Sequence, residues 1–248
     1  MTLTTIALQD YPIVDSTLPD IHDHVLCLMK KNKFTHLTTL NPQILMGCEA
    51  DPQLKQWILD SHFILPDGVG IQWALQHIMR QSITCITGVA LVLSLLQQGG
   101  FSCMLIGAAP SSYTDASQKV PRTFPKTTFL PGFHGFHPES EWPTIIQTIS
   151  QKKPDLILVG MGFPLQERFL QKLHAHVHHG VGIGVGGLID ILSGHARWAP
   201  LWVRSLKLEW LYRGLCQPRR FQTWQFMIDF IRWTISTKQS RRNCCKIG

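Results

Sequence analysis

Short apolar runs alternate with amphipathic stretches along the first 190 residues of the chain. Runs of β-branched and apolar residues bounded by Gly, Pro or Asn predict strands at 36–41, 63–65, 82–88, 102–107, 127–136, 155–162 and 180–187. Apolar residues at three- and four-residue spacing predict helices between them, at 51–61, 69–79, 89–98, 111–120, 142–151 and 164–178. This alternation predicts an α/β fold with a mostly parallel sheet and helices on both faces.

Polar residues and glycines gather at the ends of these predicted strands. In a parallel sheet such ends lie along one rim, which is where ligands bind. Glycines at strand-to-helix turns let a phosphate approach backbone N–H groups, so the rim predicts a site for an anionic, nucleotide-like ligand. The glycine spacing at 182–187 matches a dinucleotide fingerprint only weakly, because no acidic residue follows at the expected distance.

Asp67 lies in the stretch ILPDGVGIQWAL, between a predicted strand and a predicted helix. The residues alone leave two interpretations open. As an N-cap, the carboxylate would accept from the first free N–H groups of the helix, and Gly68 would ease the turn. As a general base, it would take a proton at a strand end where ligands bind.

The last part of the chain differs in composition from the rest. Residues 197–248 contain eleven Lys or Arg, two acidic residues and five of the eight Trp. We therefore divide the chain into a core, residues 1–196, and a basic, helical C-terminal appendage, residues 197–248. Because Trp and basic residues together favour lipid headgroups, we expect the partner to be an anionic membrane surface and not nucleic acid.

Cysteine usage and the absence of long apolar runs in the sequence indicate where the protein works. Seven scattered cysteines with no CxxC pair are typical of free thiols in a reducing compartment. The opening MTLTTIALQDYP has no basic region followed by an apolar run, so no signal peptide is predicted. No stretch reaches the roughly 18 apolar residues of a spanning helix. We expect a cytoplasmic protein, peripheral on the inner face of the cell membrane.

Four segments carry a resemblance to a known family: LNPQIL with LPDGVGIQWAL, PDLILVGMGFPLQERF, GVGIGVGGLIDILSG and LEWLYRGLCQPRR. Through them, from about Phe34 to Arg220, the chain resembles the bacterial WecG/TagA/CpsF glycosyltransferases. The resemblance implies a Rossmann-like core and an inverting transfer from a UDP-sugar, with no metal and no cofactor. The usual donor sugar is N-acetylmannosamine or its uronic acid, and the usual acceptor is N-acetylglucosamine on undecaprenyl diphosphate. It also implies that a C-terminal appendage helps hold the enzyme to the membrane and closes the site.

The resemblance assigns roles to individual residues. Asp67 matches the general base, and Thr39 and Asn41 match the polar pair beside it that orients acceptor or donor. The residues expected on the donor side are Gly88, Gly107, Gly162, Gln166, Glu167, Gly186 and Asp190. The residues expected at the acceptor or the diphosphate are Arg213, Arg219 and Arg220. Helix capping is the alternative for Gln166, Glu167 and Asp190.

The chain departs from the family pattern at four positions. Cys85 stands where an Arg of the RvtG segment is usual, Ala90 replaces an Asp, and Trp198 replaces the Arg of the RAP segment. The fourth is Leu165, which gives PLQE where the family has PkQE. Losing an Arg near a diphosphate removes a charge-assisted contact worth about 1.5–3 kcal/mol. A glucosyltransferase of the same fold and a non-catalytic member that binds lipid-linked sugar therefore stay open, as does a homo-oligomer.

His174 and His178 share one face of a predicted helix. Neither a carboxylate nor a Cys accompanies them in the sequence, so we predict a solvated helix end and no metal site.

Overall fold

One eight-stranded sheet organises the protein. The computed structural model describes residues 3–81, 83, 85–200, 203 and 222–247, with side chains of the last helix described from 225 to 239. The strand order is β1-β2-β4-β3-β8-β7-β5-β6. The strands are β1 (Thr5–Leu8), β2 (Tyr11–Val14), β3 (Thr35–Leu40), β4 (Phe63–Pro66), β5 (Ser102–Gly107), β6 (Thr128–Phe133), β7 (Leu156–Gly160) and β8 (Val181–Gly184).

The sheet is parallel except at one edge. β1 and β2 form an antiparallel hairpin, and β2 then pairs in parallel with β4. The remaining neighbours are all parallel, and β3 and β7 are buried along their whole length. Continuous burial is expected where helices cover both faces of a parallel sheet. The predicted α/β fold, with its mostly parallel sheet, is confirmed.

Helices pack on both faces and form two apolar cores. The helices are α1 (Leu18–Met29), α2 (Pro42–Ala50), α3 (Pro52–Leu59), α4 (Gly68–Met79), α5 (Gly88–Gln98), α6 (Pro110–Thr123), α7 (Trp142–Lys152), α8 (Leu165–His176), α9 (Leu188–Ser193) and α10 (Gln222–Ile247), with a short 3-10 helix at Glu139–Glu141. One core is built with α2, α3, α4, α7, α8 and α10, and the other with α1, α5, α6 and α9. The sheet separates them.

The strand predicted at 82–88 is wrong. Of this segment, residues 83 and 85–88 are described: residues 83 and 85–87 have no regular secondary structure, and Gly88 begins α5. The run of β-branched residues favours a strand locally, but both edges of β4 are already paired, one with β2 and the other with β3. The segment instead buries Ile83 and Ile86 in the two cores.

The C-terminal helix α10 packs against the start of α2 and of α4. Phe230 is 1% exposed, and a Cβ atom added at Gly70 would lie 3.4 Å from its ring and 2.4 Å from Pro42. The predicted helical character of the C-terminal region is therefore confirmed for α10. The division at residue 197 stays a prediction.

Glu49, near the end of α2, ties this helix to its surroundings. Its carboxylate accepts from the Tyr11 hydroxyl of β2 at 3.0 Å and from the Trp233 indole of α10 at 3.1 Å. Lys55 lies 3.3 Å from the same carboxylate. One acidic side chain thus joins the edge hairpin, α2 and the C-terminal helix.

A helix that spans a bilayer needs about 20 consecutive, predominantly apolar residues. Among the residues that the structure describes, no helix is both long and apolar enough to cross a membrane.

Candidate functional site

The ends of β3 and β4 lie side by side. Leu40 pairs with Pro66 at the last position of both strands, and the Asp67 N–H donates to the Leu40 carbonyl at 2.8 Å. Asn41 and Asp67 are therefore neighbours at the same edge of the sheet. The parallel arrangement brings together two of the three residues that the sequence places in the catalytic group.

Asn41 and Asp67 both stand at helix N-caps, but their side chains behave differently. The Asn41 side chain caps α2 by accepting from the Ile44 N–H at 3.0 Å. Asp67 holds the N-cap position of α4, yet its carboxylate accepts no capping hydrogen bond from the first turn of that helix, whose residues are all described. The capping interpretation of Asp67 is therefore wrong. The residue is half-buried at this rim.

Thr39, the third member of the predicted catalytic group, is 8% exposed and packs against the start of α5. A Cβ atom added at Gly88 would lie 2.4 Å from the Thr39 methyl group. Gly88 is thus required by close packing against β3. Its predicted contact with the donor stays a prediction.

Cys85 lies against the loop that carries Asp67. Its thiol is 3.1 Å from the Pro66 carbonyl and 3.1 Å from the Gly68 carbonyl, one on each side of Asp67 in the chain. The residue that departs from the family pattern therefore touches the backbone of the predicted general base. The sequence signalled the departure but not this contact.

The loops after β5 and β7 meet on the other half of the rim. The Ala108 N–H donates to the Gly160 carbonyl at 2.9 Å. Gly107 has a φ of +132°, and a Cβ atom there would lie 2.4 Å from the Gly160 backbone, so only glycine fits. Gly162 differs, since a Cβ atom there would meet nothing within 4 Å. Of these glycines, Gly162 is the one beside open space.

Gln166 connects α8 to the turn between β8 and α9. Its side-chain oxygen accepts from the Gly186 N–H at 3.0 Å, and its side-chain nitrogen donates to Glu167 at 2.9 Å. The N-cap of α8 is Pro164, and the Gln166 side chain is engaged away from the helix start, so the capping alternative for Gln166 is wrong. The Glu167 carboxylate accepts a hydrogen bond from its own backbone N–H in the first turn of α8, so the capping alternative stays open for Glu167. Their predicted contact with the donor is not tested by this geometry.

Gly184 is a residue that the sequence did not single out at this site. A Cβ atom there would lie 2.6 Å from the Gln166 side-chain nitrogen, so β8 admits the amide only because residue 184 is glycine. The glycine-rich run from 180 to 187 signalled such a requirement without identifying its partner.

Asp190 lies in the first turn of α9 and is half-buried. Within the described chain its carboxylate does not cap that helix, whose N-cap is Gly187. The aspartate is close to the turn that Gln166 holds, because a Cβ atom at Gly187 would be 4.0 Å from the Asp190 Oδ2 atom. The capping alternative is wrong here too, and the donor-side role stays a prediction.

Arg213, Arg219 and Arg220 lie outside the described residues. Ala90 is in the first turn of α5, where its N–H donates to the Thr87 hydroxyl at 3.2 Å. Trp198 is 38% exposed.

α8 ends at His176, so His178 lies in the following loop and the predicted helix face shared with His174 is wrong. His174 packs beside the rings of His36 and Trp57, with centroids 5.9 and 5.5 Å apart, whereas His179 lies 3.0 Å from Asp155. Among the described residues, no group of three or more His, Cys, Asp or Glu is arranged to hold a metal ion. Metal independence of the reaction stays a prediction.

Comparison with known proteins decides the family. The model of the glycosyl transferase WecG/TagA/CpsF family matches residues 6–242. The chain belongs to this family. It is a glycosyltransferase, as the four resembling segments predicted.

Three similar proteins carry the same descriptive name, N-acetylglucosaminyldiphosphoundecaprenol N-acetyl-beta-D-mannosaminyltransferase. The protein from Bacillus spizizenii is 27% identical over 248 residues, covering 98% of this chain and 95% of its own. That from Bacillus subtilis is 25% identical, covering 97% and 94%. That from Staphylococcus aureus is 28% identical, covering 74% and 73%.

Glu167, which follows Gln166 in α8, is a buried ionisable group close to the rim of strand ends. It is 4% exposed, and its Oε2 atom has no hydrogen-bond partner in the described part of the chain. Burial raises the pKa of the Glu167 carboxyl to about 7, and the hydrogen bond from Gln166 opposes the shift without cancelling it. A carboxyl that titrates near neutrality inside a core costs folding free energy when ionised.

We predict that Glu167→Gln changes the pH dependence of stability. In the wild type the stability is fully present below the unfolded pKa of 4.5 and falls as the pH rises through the folded pKa of about 7. The loss approaches about 3 kcal/mol, from 1.36 kcal/mol per pKa unit. Urea unfolding at several pH values should therefore show Glu167→Gln becoming more stable relative to the wild type as the pH rises from about 4.5 to about 7. Parallel profiles for Glu167→Gln and the wild type would contradict the prediction.

Proposed function

We propose that the protein transfers N-acetylmannosamine, or its uronic acid, from a UDP donor to N-acetylglucosamine linked to undecaprenyl diphosphate, with inversion at the anomeric carbon. The product would serve the synthesis of a cell-surface polysaccharide or a teichoic-acid-type polymer. The reaction would take place on the inner face of the cell membrane and would need neither metal nor cofactor.

Asp67 is the base in this proposal. Its carboxylate takes the proton of the acceptor hydroxyl while that oxygen forms a bond to the anomeric carbon of the donor sugar. The bond from that carbon to the UDP oxygen breaks, and UDP leaves with the electron pair. An inverting displacement needs one base on the side opposite the leaving group. A rigid strand end holds such a base well.

The observation that carries the proposal is the placement of Asp67 beside Asn41. The two residues are joined through the Asp67 N–H and the Leu40 carbonyl, and the Asp67 side chain is not used to cap α4. Membership of the family supports the reaction class. The names of the three relatives support the sugar and the lipid-linked acceptor.

A second candidate is a non-catalytic member that binds lipid-linked sugar. The observation that favours it is Cys85, which touches the Asp67 loop at the position where the family usually carries Arg. A screen of UDP-sugars with a short-chain lipid diphosphate acceptor, reading UDP release in EDTA, separates the two candidates. It also detects a glucosyltransferase, and activity that needs added Mg²⁺ or Mn²⁺ would contradict metal independence.

We predict that Asp67→Asn lowers the rate of transfer by about 10²–10⁴-fold, the contribution typical of a general base. UDP affinity and the unfolding midpoint should stay near those of the wild type, because the Asp67 carboxylate does not cap α4. Asp51→Asn is the matched control, since Asp51 caps α3 through the N–H groups of Gln53 and Leu54. Full turnover by Asp67→Asn would rule Asp67 out as the base.

Restoring the family arginine should strengthen UDP binding. Cys85 is half-buried beside the Asp67 loop, so an arginine there could reach a diphosphate at the rim. One charge-assisted contact of about 1.5–3 kcal/mol corresponds to roughly 10–100-fold in affinity. Calorimetry of UDP with Cys85→Arg and with the neutral control Cys85→Ser tests this, and unchanged or weaker binding to the arginine variant would contradict it.

The outer face of α10 carries the predicted membrane contact. Ile228, Ile231 and Ile235 are 45%, 42% and 43% exposed and recur at helical spacing. Arg232 is exposed on the same helix, and an anionic leaflet adds roughly 1 kcal/mol per nearby cation. Lipid binding through this face is part of the proposal, since exposed apolar and basic residues together favour the interface.

We predict that changing Ile228, Ile231 and Ile235 together to Gln weakens binding to anionic liposomes by roughly 100-fold, at about 1 kcal/mol for the exposed part of each side chain. Sedimentation with phosphatidylglycerol vesicles measures the loss. The exposed polar residues Ser236 and Gln239, changed to Ala, provide the control. If the triple variant binds like the wild type, α10 does not meet lipid.

A further inference from the structure

The amide of Gln166 stands between a donor and an acceptor that fix its orientation. Glu167 in its ionised form offers only acceptors, so the NH₂ end of the amide faces it. The Gly186 N–H is a donor, so the oxygen end faces the turn. If the amide were reversed, its NH₂ group would face the Gly186 N–H, donor against donor. Its oxygen would face the Glu167 carboxylate, acceptor against acceptor.

The Glu167 carboxylate is held inside the protein. Its side chain is buried between α8, the middle of β3 and β8, where Thr38, Leu170 and Gly184 line a small cavity with it. From this position it acts on the rim through Gln166, because its hydrogen bond runs to that amide. The chain of contacts therefore runs from a buried acid through an amide to a backbone N–H of the turn between β8 and α9.

That turn is a place where ligand and backbone can meet. Gly186 has a φ of +51°, and a Cβ atom there would find nothing within 4 Å. Its N–H is already engaged with Gln166, so the turn is held from inside while its outer side faces open space. Asp190 follows in the next helix.

We propose that Glu167 is a positioning residue of the glycosyl transfer, which orients the Gln166 amide and through it fixes the turn at Gly186. The inference rests on the proposed function, in which this turn faces the UDP-sugar. Glu167 then has no contact with the donor and controls how well the turn fits it.

The test compares Gln166→Ala, Glu167→Ala, Glu167→Gln and the double alanine variant with the wild type. Two readouts are used: hydrogen exchange of the Gly186 amide, followed by NMR on the free protein, and kcat and KM for UDP-N-acetylmannosamine. Leu170→Ala is the matched control, because Leu170 lies one turn further along α8 and lines the same cavity.

Each alanine variant should speed Gly186 exchange roughly fivefold, as expected for one lost hydrogen bond, and raise the donor KM by a similar factor with little change in kcat. The double variant should resemble Gln166→Ala, since residues acting through one contact are not additive. Glu167→Gln should restore most of the loss, because its carbonyl still accepts from Gln166. Leu170→Ala should lower the melting temperature and leave Gly186 exchange and KM unchanged.

Additive effects in the double variant, or Glu167→Ala with wild-type exchange at Gly186, would overturn the inference. So would equal losses in Leu170→Ala, which would reduce Glu167 to a packing residue. Absence of transfer by the wild type with every UDP-sugar would instead refute the proposed function, and the exchange measurements would still test the link between Glu167 and Gly186.

Discussion

The hydrogen bond from the Asp67 N–H to the Leu40 carbonyl is the interaction on which the predicted catalytic half of the rim depends. It continues the parallel ladder of β3 and β4 by one step, at the point where both strands give way to helices. Because both strands end at the same level of the sheet, the Asn41 amide and the Asp67 carboxylate stand at one edge, although the two residues are 26 positions apart in the sequence. Shifting β4 by one residue against β3 would send the carboxylate to the other face.

The two halves of the rim are held by different means. Near Asp67 a backbone hydrogen bond joins the two strand ends, while the Asn41 side chain caps α2 and the Cys85 thiol lies against the loop carbonyls. Near Gly186 the turn is held by the Gln166 side chain, which in turn donates to Glu167, an acid that is costly to bury. Burial of a carboxylate is tolerated where its geometry serves something other than stability. The raised pKa of Glu167 fits this view, because it means that burying the ionised carboxylate lowers stability.

Much of this architecture could be predicted from the sequence, because strand ends in a parallel sheet share an edge whatever the order of the strands. Asn41 and Asp67 were found in that way. Asn before Pro at 41–42 is also typical of a helix start, and α2 begins there although the apolar spacing of the segment predicts no helix.

Other features depend on distant neighbours and could not be predicted in this way. The 82–88 segment has the composition of a strand and lacks a free edge of β4 to pair with. The four-residue runs of β1 and β2 are too short to give a periodic signal, although the Tyr11 side chain is fully buried. The need for glycine at 184 comes from Gln166, which lies 18 residues earlier in the chain.

The packing of Phe230 against Gly70 and Pro42 has a consequence for distance. Gly70 and Pro42 lie in the first turns of α4 and α2, the helices that follow Asp67 and Asn41. The inner side of α10 therefore packs directly against the helix starts next to these two residues. With lipid on the outer side of α10, a single helix diameter of about 10–12 Å would separate the headgroups from those first turns. A lipid diphosphate is bound to its leaflet and cannot rise far from it. The thickness of α10 would then set the distance of the Asp67 carboxylate from the membrane and keep it close to a substrate that stays there.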